Sequence, residues 1–276
     1  MPRMEGLYCG FEDAVEVFDV NRPGEGTRLP TTPFKKSKDG LKGIISALAF
    51  VPAQGSDMYA AGSLSPTSSN IAMFNETHGA EPVMFVSGGP PAGVTQISFN
   101  PARPHIMYAA YRRHGPIYSW DLRANVDGPM KIFKSSHART NQKLRFDIDL
   151  GGRWLGSGDE SGNISMFDLQ DVDDPIETEK NSVGAEEFQA SSKFDAHGAF
   201  HPHHALLLSA SGSRHFHPNE ASESSDSNES MDSETDSQQA TTLGITRRRR
   251  HPVILDASIK TWLFDSQAPL PKPDIT

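Results

Sequence analysis

One segment of the chain carries a combination of side chains that suits binding to nucleic acid. Residues 131–145 contain five basic residues and no acidic residue. Cations neutralise phosphates, aromatic rings stack on bases, and amides read base edges. The candidate binding residues of this segment are Lys131, Phe133, Lys134, Arg139, Asn141, Gln142, Lys143 and Arg145. The alternatives are a solvated connector, in which the two amides cap strands, and packing of Phe133 between neighbouring structural units.

Two shorter cationic clusters could extend such a surface. Arg112, Arg113 and His114 form one turn between two predicted strands, and four lysines lie within residues 35–42. Arg112 and Arg113 are therefore further candidate binding residues. The sequence alone does not say whether the three clusters share one face of the protein.

Other groups suggest catalysis or metal binding, but only weakly. Six histidines fall within residues 197–217 with no cysteine nearby, and turn or surface histidines are the usual case. Asp147 and Asp149 could share one face of a strand, as an acid–base pair requires. The aligned positions in the other repeated segments, however, belong to structural strand ends. Neither a glycine-rich phosphate loop nor a nucleophile elbow occurs in the sequence. We therefore expect no enzyme activity, no metal and no cofactor.

A repeated pattern places these groups on β-strands. In four segments an apolar strand ends in a bulky residue and a turn follows. A strand of small residues comes next, and then the last, outer strand of the unit, which ends in an aromatic residue, often before aspartate. The residues that end the first strand are Phe50, Phe99, Ile148 and Phe200, which are 49, 49 and 52 residues apart. This exceeds the ~40–45 residues of a plain WD repeat, and inserted loops such as 123–141 explain the surplus. The alternative is an ordinary β-sandwich.

The sequence therefore predicts an all-β fold, a WD-repeat β-propeller of about four full blades plus a half blade. The half blade is predicted at Leu7–Gly10 and Val15–Val20, and it suggests that part of the ring lies upstream or comes from elsewhere. Propeller blades would occupy residues 1–216, with a last strand in 251–265 and a proline-rich tail in 266–276.

Residues 217–250 read as an insertion into the last blade, acidic first and then arginine-rich. Residues 217–242 hold seven acidic and no basic residues, so they lack the apolar surface needed for a core, and we expect 217–245 to be disordered. Arg247–Arg250 could serve nuclear import or pair with these acids. The single cysteine, Cys9, indicates a reducing compartment. No apolar run approaches the ~18 residues of a membrane span, so we expect no membrane association.

Short motifs along the chain resemble the telomerase Cajal body protein family, WD-repeat proteins of small nuclear ribonucleoproteins. Their order is more specific than any single piece. The resemblance covers about residues 7–265, gaps included. The motifs include Tyr8-Cys-Gly-Phe11, Val15-Glu-Val-Phe18, Arg22-Pro-Gly24, Phe34-Lys-Lys36, Trp120-Asp-Leu-Arg123, Thr140-Asn-Gln142, Phe146-Asp-Ile-Asp149, Ser157-Gly-Asp-Glu-Ser-Gly162 and Ser209-Ala-Ser-Gly212.

This resemblance implies an incomplete seven-bladed ring that binds a short loop motif in small nuclear RNA. Such RNAs include small Cajal body RNAs and, in some lineages, telomerase RNA. It also implies a scaffold role in ribonucleoprotein biogenesis or localisation, nuclear residence in or near Cajal bodies, ribonucleoprotein partners, and folding by a cytosolic chaperonin. The alternative function is that of a purely protein-binding WD-repeat adaptor in a nuclear complex.

Overall fold

The regular elements are β-strands in a computed structural model of the chain. It describes residues 6–22, 24–34, 37, 39–77, 81–134, 143–159, 162–170, 186–189, 196–204, 206–212 and 257–263. The predicted all-β fold is confirmed. Within these ranges no helix is long and apolar enough to cross a membrane. The predicted disorder of 217–245 and the predicted tail, 266–276, fall outside the described residues.

The strands form five antiparallel sheets, each built from strands that follow one another in sequence. The first sheet contains β1 (Gly6–Phe11), β2 (Ala14–Asp19) and β3 (Thr27–Pro30). The second contains β4 (Ile45–Phe50), β5 (Met58–Ser63), β6 (Ile71–Asn75) and β7 (Met84–Val86). The third contains β8 (Val94–Phe99), β9 (Ile106–Tyr111), β10 (Ile117–Asp121) and β11 (Lys131–Phe133). The fourth contains β12 (Phe146–Ile148), β13 (Trp154–Gly158), β14 (Asn163–Asp168) and β15 (Glu186–Gln189). The fifth contains β16 (Ala196–Phe200), β17 (Leu206–Gly212) and β18 (Ala257–Leu263).

Each sheet packs against the next one along the chain, and apolar side chains fill the four junctions. Tyr8 of the first sheet meets Phe50 of the second, with ring centroids 4.8 Å apart. Small residues in the second strand of a unit allow this approach. A Cβ atom at Gly62, for example, would lie 2.7 Å from Val94 Cγ1 of the following sheet. The composition of β5 therefore follows from sheet-to-sheet packing.

In each of the first four sheets, one strand ends in an aromatic ring that is at least partly buried, and a polar capping residue follows it. Phe74, Trp120 and Phe167 are almost fully buried, and Phe18 is partly buried. The side-chain oxygen of the next residue accepts a hydrogen bond from the backbone N–H two residues further on, which is an Asx turn. The four capping residues are Asp19, Asn75, Asp121 and Asp168.

Two sequence predictions about strand number were wrong. The aromatic strand is followed by a further strand, β3, β7, β11 or β15, so it is not the outermost one in these sheets. These short strands were missed because three or four residues carry little periodic signal. In consequence, Lys131–Phe133 is a strand and not part of a connector. The opening half unit likewise contains three strands, since Thr27–Pro30 joins it.

Antiparallel order brings two kinds of loop to the same end of the sheets. The β5–β6 and β9–β10 turns lie at the end of the sheets where the first strands, β4 and β8, begin. The connectors that lead from one sheet to the next lie at the same end. We call this end the connector edge. Its described residues are those of the turns, 12–13, 64–70, 112–116, 159 and 162, and those of the connectors, 31–34, 37, 39–44, 87–93, 134 and 143–145.

Candidate functional site

Backbone hydrogen bonds tie the turns of the connector edge to the connectors. Asp13 N–H donates to Gly43 O at 3.0 Å, Leu64 N–H to Ile44 O at 2.9 Å, and Arg112 N–H to Gly93 O at 2.7 Å. The hydroxyls of Ser63 and Ser65 donate to Lys42 O. The loops of this edge are therefore held to one another by hydrogen bonds, and their ends are fixed by strands.

The cationic residues of the third sheet come together on this edge. Ile117 pairs with Ala110 on one side and with Phe133 on the other, so the end of β9 and the end of β11 are level. Arg112 and Lys134 follow those two strand ends, and both side chains are exposed. Arg113, which has a left-handed backbone at φ 61°, is exposed beside Arg112.

Two further predicted binding residues join the same edge at the start of the fourth sheet. Lys143 and Arg145 are exposed immediately before β12. Gln96 near the start of β8 fixes this segment, because its side chain donates to Phe146 O at 2.7 Å and accepts from Phe146 N–H at 3.2 Å. Arg139, Asn141 and Gln142 lie outside the described residues.

Phe133 does not belong to the exposed surface, and its prediction as a base-stacking ring is wrong. It is 3% exposed. Its ring packs 6.0 Å from that of Tyr108 and, edge to face, 5.5 Å from that of Phe167 in the next sheet. The alternative of packing between neighbouring units is the correct one.

Lys131 is also separated from the other cations. It pairs with Ser119, two residues away from the end of β11 at the connector edge. It helps to line a small cavity together with Arg103 and Asp168. The predicted binding segment is therefore divided between the connector edge and the interior of the sheet.

The two aspartates considered as an acid–base pair both accept backbone hydrogen bonds. Asp147 accepts from Phe200 N–H at 2.8 Å and from Ile148 N–H at 2.9 Å. Burial raises the pKa of the Asp147 carboxyl. Asp149 accepts from the N–H groups of Arg153 and Trp154 and so orders the β12–β13 turn. Both carboxylates are thus engaged in holding the backbone.

The histidine-rich segment forms a local turn. Nδ1 of His201 accepts hydrogen bonds from the N–H groups of His203 and His204, at 3.1 and 3.0 Å. No group of three or more potential metal ligands occurs within the ranges that the structure describes.

Side-chain hydrogen bonds, here called polar bridges, join the first long strands of neighbouring sheets, and they were not predicted from the sequence. Ser46 donates to Val94 O at 2.6 Å, Gln96 bonds with Phe146, and Asp147 accepts from Phe200 N–H. Each bridge links one sheet to the next. The available signal was a polar residue in the otherwise apolar first strand of each unit, but its partner is about 50 residues away in sequence.

Comparison with known proteins shows clear homology. No protein-family model matches the chain. It is 33% identical over 210 residues to Telomerase Cajal body protein 1 of Rattus norvegicus, covering 76% of this chain and 37% of the relative. It is 32% identical over 225 residues to the Homo sapiens protein of that name, covering 82% and 38%. A Drosophila melanogaster homolog is 28% identical over 180 residues, covering 62% and 29%. The chain therefore spans less than two fifths of the length of the relatives that it matches, and the resemblance predicted from its motifs is confirmed.

Proposed function

We propose that this chain, a homologue of the telomerase Cajal body proteins, is a scaffold that binds small nuclear RNA through its connector edge. Small Cajal body RNA is the leading candidate, and telomerase RNA is a further one. The scaffold would assist biogenesis or localisation of a ribonucleoprotein in the nucleus, at Cajal bodies or in the nucleoplasm. Its partners would be the proteins of that particle, with a cytosolic chaperonin assisting its folding.

We propose that the fold behind this function is a WD-repeat β-propeller. Five sheets follow one another along the chain, and each packs face to face on the next. The first four sheets share the buried ring and the Asx turn at the end of one strand. Repetition of one unit with nearest-neighbour packing is the organisation of propeller blades. We propose that these sheets are blades of the seven-bladed ring implied by the resemblance.

The observation that carries the RNA proposal is the convergence of cations on one edge. Arg112, Lys134, Lys143 and Arg145 are exposed there, on a rim fixed by strand pairing. Exposed cations on one edge attract a phosphate backbone and release its counterions. The formal net charge of −9 does not oppose this, because binding depends on local patches.

Matched charge reversals test the proposal. In the full chain we expect Arg112→Glu with Lys134→Glu to weaken binding to a small nuclear RNA loop. The log–log salt slope should fall by about 0.7 for each phosphate that the variant no longer neutralises. The control is Arg22→Glu with Arg123→Glu, the same change of charge at the opposite ends of the strands. Equal weakening by both pairs, or unchanged affinity of the first pair at low salt, would refute binding at this edge.

A protein-binding adaptor remains the second candidate function, and a separate observation favours it. Leu208, Ile259 and Leu263 stand on one face of the fifth sheet, because Leu208 pairs with Thr261 between the other two. Ile259 is 73% and Leu263 is 81% exposed. Exposed apolar patches mark protein interfaces. Ultraviolet crosslinking of the intact protein to RNA in nuclear extract separates the two functions, since only the first yields RNA adducts.

A further inference from the structure

The fifth sheet ends in the strand β18, whose second edge pairs with no strand in the described part of the chain. We propose that this edge binds β18 of a second copy of the protein in antiparallel orientation, so that two fifth sheets join into one. The inference does not depend on RNA binding. It names the chain itself as the partner of the apolar patch on this sheet.

One position of the repeat is buried in the first four sheets and exposed in the fifth. It lies three residues before the aromatic ring that ends its strand. The side chains at this position are at most 3% exposed in Val15, Ile71, Ile117 and Ile164. In β18 the ring is Trp262, which pairs with the second residue of β17 just as Phe74 pairs with the second residue of β5. The equivalent residue is therefore Ile259, which is 73% exposed.

A flanking strand covers the edge beside this position in each of the first four sheets. The flanking strands are β3, β7, β11 and β15, and the residue opposite the buried position is apolar in all four: Leu29, Val86, Phe133 and Phe188. Opposing side chains of this kind stabilise a sheet. The fifth sheet has no flanking strand among its described residues. A strand that binds to β18 should likewise present an apolar residue opposite Ile259.

The backbone at this edge also has counterparts in the complete sheets. Met73 O accepts from Val83 N–H at 2.8 Å, and Ser119 O accepts from Met130 N–H at 2.6 Å. Each acceptor lies two residues after the buried position, and each donor immediately precedes a flanking strand. The same position in β18 is Thr261, which is exposed. Because the N–H and the carbonyl of a strand residue point to the same side, we expect Thr261 to offer both to a second strand.

A second copy meets these requirements in one antiparallel register. When Thr261 faces the partner's Thr261 across a two-fold axis, each donates to the other and accepts from it. Ile259 then faces the partner's Leu263, a residue that is 81% exposed in the single chain, and the reciprocal pair forms as well. Registers centred on Ile259 or on Leu263 would leave the other apolar residue opposite no residue of β18. Two-fold interfaces are self-complementary in this way.

The length and the side chains of β18 favour such pairing. Long, apolar edge strands are templates for another chain, and proteins protect their edges by making them short. The flanking strands have three or four residues, whereas β18 has seven. Leu208 extends the apolar surface, because it lies beside Thr261 on β17. The register also sets Lys260 opposite the partner's Trp262, so no like charges meet across the axis.

Sedimentation velocity of the full chain at increasing concentration tests the proposal, and we expect a dimer. Thr261→Pro removes one N–H donor from each copy, so the dissociation constant of the dimer should rise about tenfold or more. Ile259→Lys should have a similar effect, because it breaks both apolar cross-strand pairs. Leu263→Glu alone should also weaken the dimer. The two changes together create two pairs of opposite charge in this register, so they should tighten the dimer again relative to either single variant.

Controls separate edge pairing from general stickiness and from the RNA-binding edge. Leu150→Lys makes the same change at another exposed apolar residue, 59% exposed in the β12–β13 turn, and should leave the dimer unchanged. Arg112→Glu with Lys134→Glu should also leave the dimer unchanged, and Thr261→Pro should leave RNA affinity unchanged. RNA binding and dimerisation can therefore fail independently. Circular dichroism spectra of all variants should match that of the parent.

Three results would overturn the proposal. The first is a monomer at every concentration. The second is a dimer that persists in Thr261→Pro but is lost in Ile259→Lys, because the two copies would then pack by their faces and not by their edges. The third is a double variant that is no tighter than Ile259→Lys alone, because Ile259 would then not face the partner's Leu263.

Discussion

The carboxylate of Asp147 accepts the backbone N–H of Phe200 at 2.8 Å, which joins the first strand of the fourth sheet to that of the fifth. Ser46 and Gln96 make the corresponding links at two earlier junctions. Of the three bridges, only this one depends on an ionisable group. Stability at this junction should therefore respond to pH.

We expect the free energy of unfolding to fall as pH rises above the pKa of an aspartate in the unfolded chain, because of Asp147. Burial, followed by the nearby Asp149 charge, raises the pKa of Asp147, while its backbone hydrogen bonds act in the opposite direction. A carboxyl whose pKa is raised on folding contributes stability below the unfolded-state pKa, and this is lost as pH rises through the folded-state pKa. Urea unfolding from pH 3.5 to 7 should show this loss in the parent and not in Asp147→Asn. The exposed Asp39→Asn should retain the parental pH dependence.

Gly152 should be far less tolerant of substitution than another glycine with the same backbone conformation. Gly152 has φ 65°, and an added Cβ would lie 2.0 Å from Asn100 Oδ1, whose amide donates to Gly152 O. Gly55 has φ 72° with open space around it. Gly55→Ala should cost ~1 kcal/mol from backbone strain alone. Gly152→Ala should cost ~3 kcal/mol, because it adds overpacking. Equal costs in chemical unfolding would show that the contact between the two turns contributes nothing.

Trp120 should contribute more to stability than Trp154. Trp120 is fully buried, and its Nε1–H donates to Ser87 O at 3.0 Å. Trp120→Phe should cost ~2–3 kcal/mol, since a part-buried carbonyl loses its donor and a cavity opens around a fully buried ring. Trp154 is partly exposed beside the guanidinium of Arg153, so Trp154→Phe should cost ~1 kcal/mol or less. Thermal melts of both variants decide the order.

Phe133→Ala should act on stability and leave RNA affinity unchanged. Truncating this buried ring should cost ~3–5 kcal/mol, whereas loss of a stacked base would leave the melting temperature at its parental value. RNA affinity measured below the melting temperature should match the parent at low and high salt. A stable variant with salt-independent loss of affinity would instead restore the stacking role.

The strand order and the core of the repeat could be predicted from the sequence because both depend on local patterns. The predicted ends of the first strands, Phe50, Phe99, Ile148 and Phe200, are the last residues of β4, β8, β12 and β16. The cationic residues Arg112, Arg113, Lys134, Lys143 and Arg145 were also found. Whether they share one edge could not be read from the sequence, because that depends on which strands pair and in which register.

Other features were missed because their partners are remote or their strands are short. β11 has three residues, so Phe133 resembled a loop residue although it fills a junction between sheets. Glu12 and Phe34 line one cleft beside the first sheet, although two strands separate them in the sequence. Neither residue shows a pattern of its own, and only the folded first sheet brings them together.

The Asx turns at Asp19, Asn75, Asp121 and Asp168 cap these four strand ends with local hydrogen bonds. Each cap is completed within two residues, by a backbone N–H of the hairpin segment that it opens. The hairpin segments accordingly range from 20–26, which is 7 residues, to 169–185, which is 17. An epitope or reporter domain grafted into 20–26 would enter at the strand ends opposite the connector edge, whereas 122–130 is a poorer position, because Val126 O accepts from Ser87 N–H of the connector edge at 2.8 Å.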